Sequence, residues 1–171
     1  NRLIAESYYQ LGDYYNAEIY FGNYLNLTES ISEIDYFQLG HIYLLLDKYD
    51  IAISYLEQIN NVEDSLMQYA SYYLGKSYLN LGNKKFALQS FKKASDVNFD
   101  MQIKEESLYN YFKLAYELDM PYTDYSYVLE ELEKNNLSNY VTNVKRLMID
   151  MFESTNQYQE AFDFLKDKHL P

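Results

Sequence analysis

Apolar residues recur along this chain with the period of a helix and are interrupted at regular intervals by short polar turns. Tyr36, Leu39, Gly40 and Tyr43 share one helical face, and after a turn at Asp47 and Lys48 so do Ile51, Ala52, Tyr55, Leu56 and Ile59. The pattern then repeats. Ser71, Leu74, Gly75 and Tyr78 precede a turn at Gly82 and Asn83, and Ala87, Ser90, Phe91 and Ala94 follow it. Leu74, Gly75, Tyr78, Ala87 and Phe91 each lie 35 residues after their counterparts. One period earlier stand Ala5, Tyr8, Gly12, Asp13, Tyr14, Ala17 and Phe21. A fixed period of this length predicts stacked helical hairpins, each burying its apolar face against its neighbours.

The glycines mark where the hairpins turn and where they are tight. Gly12 and Gly82 stand where the first helix of a hairpin stops, a place that requires the left-handed conformation, and Asp47 takes that place in the second hairpin. Gly40 and Gly75 fall inside helices, where glycine costs about 1 kcal/mol relative to alanine. Its recurrence at one repeat position predicts close approach to the facing helix. Polar junctions at Thr28–Ser32, Asn60–Asp64, Asp96–Asp100 and Lys134–Asn139 separate the hairpins, and no Pro-rich or Gly-rich linker divides the chain.

The spacing Leu-Gly-x-x-Tyr, then a Gly-Asp-Tyr turn or its equivalent, then Ala and a Leu or aromatic residue, resembles the tetratricopeptide repeat (TPR) family. The likeness is dense over residues 1–100. It continues through a fourth hairpin at 105–135 and a fifth at 140–168, where Asn156, Gln157, Tyr158, Ala161 and Leu165 match the turn and second helix. It implies an all-α fold: an α-α superhelix of about five helical hairpins, with repeats of about 1–30, 33–66, 68–101, 105–138 and 142–171. The fourth repeat departs from the pattern. Setting Lys113 at the small buried position would bury a charge, so Phe112 is assigned there, with Ala115 where the others have Tyr. The segment from Leu108 to Leu118 also resembles TPR segments of envelope-associated proteins of Gram-negative bacteria, which implies a bacterial cell envelope or periplasmic location as an alternative to the cytoplasm. With no polar capping helix in view, the chain is expected to be a fragment of a longer protein, with self-association through the terminal repeat.

Composition narrows the function. The net charge of −12 argues against a nucleic-acid ligand. The charge is uneven: residues 1–66 carry −9, residues 67–101 carry +3 and residues 102–171 carry −6. Apolar runs are too short to cross a membrane, so no direct membrane insertion is expected. Cysteine is absent, which removes thiolate chemistry and disulfides. The two histidines, His41 and His169, lack a second ligand at helical spacing. Glu105 and Glu106 diverge around a helix, and Glu130, Glu131 and Glu133 form a charged run expected to be solvated. No constellation for catalysis, metal or cofactor emerges, and the chain is expected to be no enzyme.

In the TPR family the first helices of successive repeats line a concave groove. By repeat position, that resemblance assigns Tyr9 from the first helix and Phe37, Gln38 and His41 from the third. Tyr69, Tyr72, Tyr73 and Lys76 come from the fifth, and Tyr109, Lys113 and Tyr116 from the seventh. The aromatic members would form a floor of the kind that concentrates binding energy. The positions at which some TPR domains clamp a C-terminal carboxylate fall here on Arg2, Glu6, Gln38, Tyr69 and Tyr73, of which only one is basic. A chaperone-tail clamp is therefore not expected. The implied function is a non-catalytic interaction scaffold for a protein or peptide with apolar anchors and some Lys or Arg. The alternative is a structural spacer or assembly segment of a longer solenoid that contacts partners through its ends or convex face.

Overall fold

A computed structural model of the chain describes residues 1–59, 64–121 and 126–155. These residues form only helices joined by turns: α1 Arg2–Gln10, α2 Tyr14–Leu25, α3 Glu33–Leu45, α4 Tyr49–Leu56, α5 Asp64–Asn80, α6 Lys84–Ser95, α7 Met101–Glu117, α8 Tyr127–Lys134 and α9 Val141–Ser154. They pair as α1–α2, α3–α4, α5–α6 and α7–α8, each hairpin stacked on the next. The proposed second helix of the fifth hairpin, from Asn156 onward, lies outside the described residues, as does His169.

The turns inside the hairpins share one solution. Gly12, Asp47, Gly82 and Asp119 all have positive φ, at 76°, 58°, 74° and 52°. The next residue then donates its amide back into the last helical turn: Asp13 to the Tyr8 carbonyl, Lys48 to Tyr43, Asn83 to Tyr78 and Met120 to Ala115. These bonds satisfy carbonyls that the helix end would leave bare. They also fix the fourth repeat, because Ala115 occupies the hydrogen-bonding position of Tyr8, Tyr43 and Tyr78. Phe112 and Ala115 are both fully buried while Lys113 is exposed, so large and small residues have exchanged places within one core layer.

Gly40 and Gly75 are the contact points of their hairpins. A Cβ on Gly40 would stand 2.5 Å from Leu56 Cγ, and one on Gly75 would stand 2.8 Å from the Phe91 ring. Phe21, Leu56 and Phe91, one per hairpin, are buried at the matching position of each second helix. Leu39 and Ile42 of α3 close over Ala5, Ala17 and Phe21. A longer continuous core runs from Tyr72, Ala87 and Phe91 to Val144 and Phe152.

Polar clamps join one hairpin to the next. Arg2 Nε donates to Asp35 Oδ1 at 2.6 Å, and Asp35 completes a capping box with Ser32 at the start of α3. Fully buried Gln68 donates to the Val97 and Asp100 carbonyls and accepts the Asp100 amide at 2.7 Å. Glu105 accepts from Asn139 at 2.7 Å and from the Tyr140 amide at 3.2 Å. In three cases, then, the N-terminal part of a hairpin's first helix grips the entry to the next first helix. Direct contact of α3 with α5, α5 with α7 and α7 with α9 brings these helices together along one side of the stack. That side is the inner face.

Candidate functional site

The inner face is paved with rings. A continuous path of ring contacts crosses three hairpins: Tyr14 to Tyr9 with centroids 6.3 Å apart, Tyr9 to His41 at 5.7 Å, and His41 to Tyr73 at 4.2 Å. It continues from Tyr73 to Phe37 at 5.9 Å, Phe37 to Tyr69 at 6.4 Å and Tyr69 to Phe99 at 6.4 Å. Repeat stacking explains the path, because α1, α3 and α5 each contribute rings from equivalent turns. Of the residues assigned from the sequence, Tyr9, Phe37, His41, Tyr69 and Tyr73 meet here, all half-buried.

The remaining assigned residues have different surroundings. Tyr72 is only 4% exposed and packs edge-on against Phe91 in the core. Tyr72 and Tyr73 are neighbours about 100° apart around a helix, so only one of them can face the groove fully. Gln38 is 7% exposed, and its amide oxygen has no hydrogen-bond partner. Lys76 lies over the Tyr72 ring, 5.2 Å from the centroid. Tyr109 is further along the stack, where its ring is stacked on Tyr140 at 4.6 Å. Tyr116 is half-buried against the core, and Lys113 is exposed beside Glu117 at 3.9 Å.

Hydrogen bonds hold the rings in place, and burial keeps them neutral. Tyr9 Oη and His41 Nδ1 are hydrogen-bonded at 2.6 Å. Burial, helped by the nearby Lys76 charge, pushes the His41 imidazole down to about 4, while burial pushes the Tyr9 phenol up to about 12. Tyr69 donates to Asp100 Oδ2 at 2.6 Å, which raises the phenol to about 12 and lowers the carboxyl. Asp100 also caps α7 by accepting the Gln102 and Ile103 amides. One side chain thus fixes both a groove tyrosine and the start of the next inner helix.

Between α3, α5 and α7 the face opens into a cleft of about 500 Å³. His41, Leu44, Tyr73 and Lys76 line it, together with Asp47 just past the end of α3 and Glu106 from α7. Tyr49 donates to Asp47 at 2.6 Å. The Tyr72 phenol accepts from Lys76 Nζ at 3.5 Å, and its pKa is raised by burial first and by the nearby Glu106 carboxylate second. Asp47 is therefore oriented by a tyrosine, and among the described residues neither Asp47 nor Glu106 is in an ion pair.

Several polar residues that matter to this face were not assigned from the sequence. Asp35, Gln68, Asp100, Lys104, Glu105 and Tyr140 hold the inner helices in register. The expectation of a solvated run at Glu130, Glu131 and Glu133 is corrected for two of the three. Glu131 accepts from the buried Lys104 ammonium at 2.7 Å, and Glu133 lies 3.1 Å from Lys145. Their partners are remote in sequence and become neighbours only on stacking. The one available signal was a Lys at the heptad-like core position of Lys104, which demands a counter-charge.

Among the described residues no group of His, Asp or Glu is arranged to hold a metal, and no helix is long and apolar enough to cross a membrane. Residues 36–63, from the inner helix α3 through α4, match the family model described as Tetratricopeptide repeat. The chain therefore carries a tetratricopeptide repeat over this segment. Its all-α helical-repeat fold is the one the sequence implied. No curated protein matches the chain. Tetratricopeptide repeats generally mediate protein–protein interaction and are typically non-catalytic.

Proposed function

We propose that the inner face binds an extended or helical segment of a partner protein, with the rings from Tyr9 to Tyr69 as the contact surface. The observation that carries this reading is the unbroken ring path across α1, α3 and α5, half-exposed and fixed by hydrogen bonds. Rigid aromatic surface lowers the entropy lost on binding. The adjoining cleft suits a segment whose apolar side chain rests on His41 and Tyr73 while a Lys or Arg meets Asp47 or Glu106. The repeats would act as a scaffold without catalysis.

The test is selection of peptides from a displayed random library against the immobilised chain, followed by affinity measurement on a variant with Phe37→Ala, Tyr69→Ala and Tyr73→Ala. These three rings are half-buried, so the fold should tolerate their loss better than loss of Tyr72. The expected result is loss of affinity of about tenfold or more. Unchanged affinity in a variant with native circular dichroism would refute inner-face binding.

A second reading, assembly through an end of the stack, is favoured by the first hairpin. Ile4 occupies the repeat position of buried Leu39 but is 45% exposed, and Leu11, Tyr15 and Ile19 beside it are also exposed. Sedimentation of the chain with Leu11→Glu and Tyr15→Glu would test this: an associating species should become monomeric, and an unchanged sedimentation profile would count against it.

A further inference from the structure

Helix α6 carries four lysines, and the structure divides them into two pairs. Lys84 binds Glu117 of α7 at 2.8 Å. Lys92 binds Asp96 and lies over the Tyr127 ring. Lys85 and Lys93 are exposed, and among the described residues neither is in an ion pair. Both lie on the outward side of α6, away from the inner face.

Beside them stands an exposed aromatic residue. Phe86 is 51% exposed, and its ring stacks on Tyr78 at 5.2 Å. Phe86 and Lys93 are seven residues apart on one helix and share a face. Together they border a depression of about 430 Å³ whose apolar floor is Leu56, Ile59 and Leu74. Glu57 borders the opposite edge, on the α4 side, and accepts the Tyr78 hydroxyl. One edge of the slot is therefore cationic and the other anionic.

This combination is not a property of the repeat. At the positions of Lys85, Phe86 and Lys93, one period earlier, stand Asp50, Ile51 and Gln58, and one period before that Tyr15, Asn16 and Asn23. Nothing in the stacking of the hairpins requires cations there. The segment containing them, residues 67–101, carries +3 between segments of −9 and −6. Lys93 borders the slot, and Lys85 lies beyond its lining on the same ridge of α6 as Gln89 and Lys93; two cations along this ridge beside an apolar slot suit an anionic ligand with an apolar side chain.

We propose that the outer slot between α4 and α6 docks an acidic peptide segment of a partner protein. An apolar or aromatic side chain of that segment enters over Leu56, Ile59 and Leu74, and its carboxylates lie on the α6 side against Lys85 and Lys93. Glu57 repels carboxylates from the α4 edge, which sets the orientation. This surface is separate from the ring-lined inner face, so either can fail without the other.

The experiment uses two synthetic peptides, one with a single phenylalanine among glutamates and aspartates, the other with lysines in place of the acids. Binding to the full chain is followed by fluorescence anisotropy and by amide shifts in NMR spectra. The acidic peptide is expected to bind with shifts concentrated in α6 and the end of α4. Lys85→Glu with Lys93→Glu is expected to weaken it about tenfold or more, and Phe86→Ser to weaken it with little change in salt dependence. No shifts in α4 and α6 at saturating peptide, equal binding of the basic peptide, or indifference to the lysine reversal would each overturn the proposal. Sedimentation distinguishes the remaining occupant. Self-association abolished by the lysine reversal, with no binding of the acidic peptide, would assign the slot to a second copy and overturn the peptide reading.

Discussion

A Cβ at Gly40 or Gly75 would enter space held by Leu56 or Phe91, whereas one at Gly22 would meet nothing within 4 Å. All three are helical, so alanine gains about 0.5–1 kcal/mol of helix propensity at each. At Gly40 and Gly75 overpacking costs about 1–3 kcal/mol and should win. Urea denaturation should therefore show Gly40→Ala and Gly75→Ala destabilised and Gly22→Ala stabilised. Three equal shifts would contradict the packing role. The sequence disclosed this role because the glycine recurs at one repeat position. His41 was legible as an inner-face residue, but its pairing with Tyr9 and stacking on Tyr73 were not, because those contacts depend on how successive hairpins dock. Its folded pKa, about 4, is below the free value of 6.5, so the unfolded chain takes up the proton first. Stability from a neutral His41 is therefore present above pH 6.5 and is lost as pH falls from 6.5 toward 4. Tyr9, Tyr73 and Lys76 face the imidazole, and no carboxylate is among the causes of its shift. In an NMR titration the His41 ring should remain neutral at pH 5.5, and His41→Gln should flatten the stability change over this window. Titration of His41 near 6.5 would contradict its burial.

At the scale of elements, the hairpins were readable because two local signals coincide. The apolar period marks the helices, and a residue able to adopt positive φ marks each turn, as Gly12, Asp47, Gly82 and Asp119 do. The fourth hairpin was harder to place because Asp119 replaces glycine and Phe112 replaces the small residue. The hydrogen bond from Met120 to Ala115 gives its register. What the sequence could not disclose were the clamps. A Gln or Glu near the start of a helix looks like a solvated residue, yet Gln68 is fully buried with its partners about one repeat away. Gln68→Leu keeps the volume but leaves the Asp100 amide and the Val97 carbonyl without their partner, and should cost about 2–3 kcal/mol. Hydrogen exchange should show the loss first at the α6–α7 junction. A change spread evenly over the chain, or none, would mean that Gln68 does not set the stacking of these two hairpins.

Over the whole molecule, inner and outer surfaces divide the chemistry. The inner face gathers neutral rings, with carboxylates at its cleft, while the outer side of α6 carries an exposed phenylalanine and two lysines that form no ion pair among the described residues. This division follows from the repeat, because first helices supply one face and second helices the other. Net charge reveals little of it, since the +3 of residues 67–101 is hidden inside a total of −12. The ring path was legible as a list of aromatic positions. Burial of Tyr72 was not, because adjacent tyrosines compete for one direction. The most direct test of inner-face recognition is to record aromatic-ring NMR shifts of the chain while adding a peptide selected against it. If the inner face is the recognition surface, the rings of Phe37, His41, Tyr69 and Tyr73 shift together and saturate at one affinity. Saturable binding that leaves those four rings unmoved while Phe86 and Tyr78 shift would contradict it.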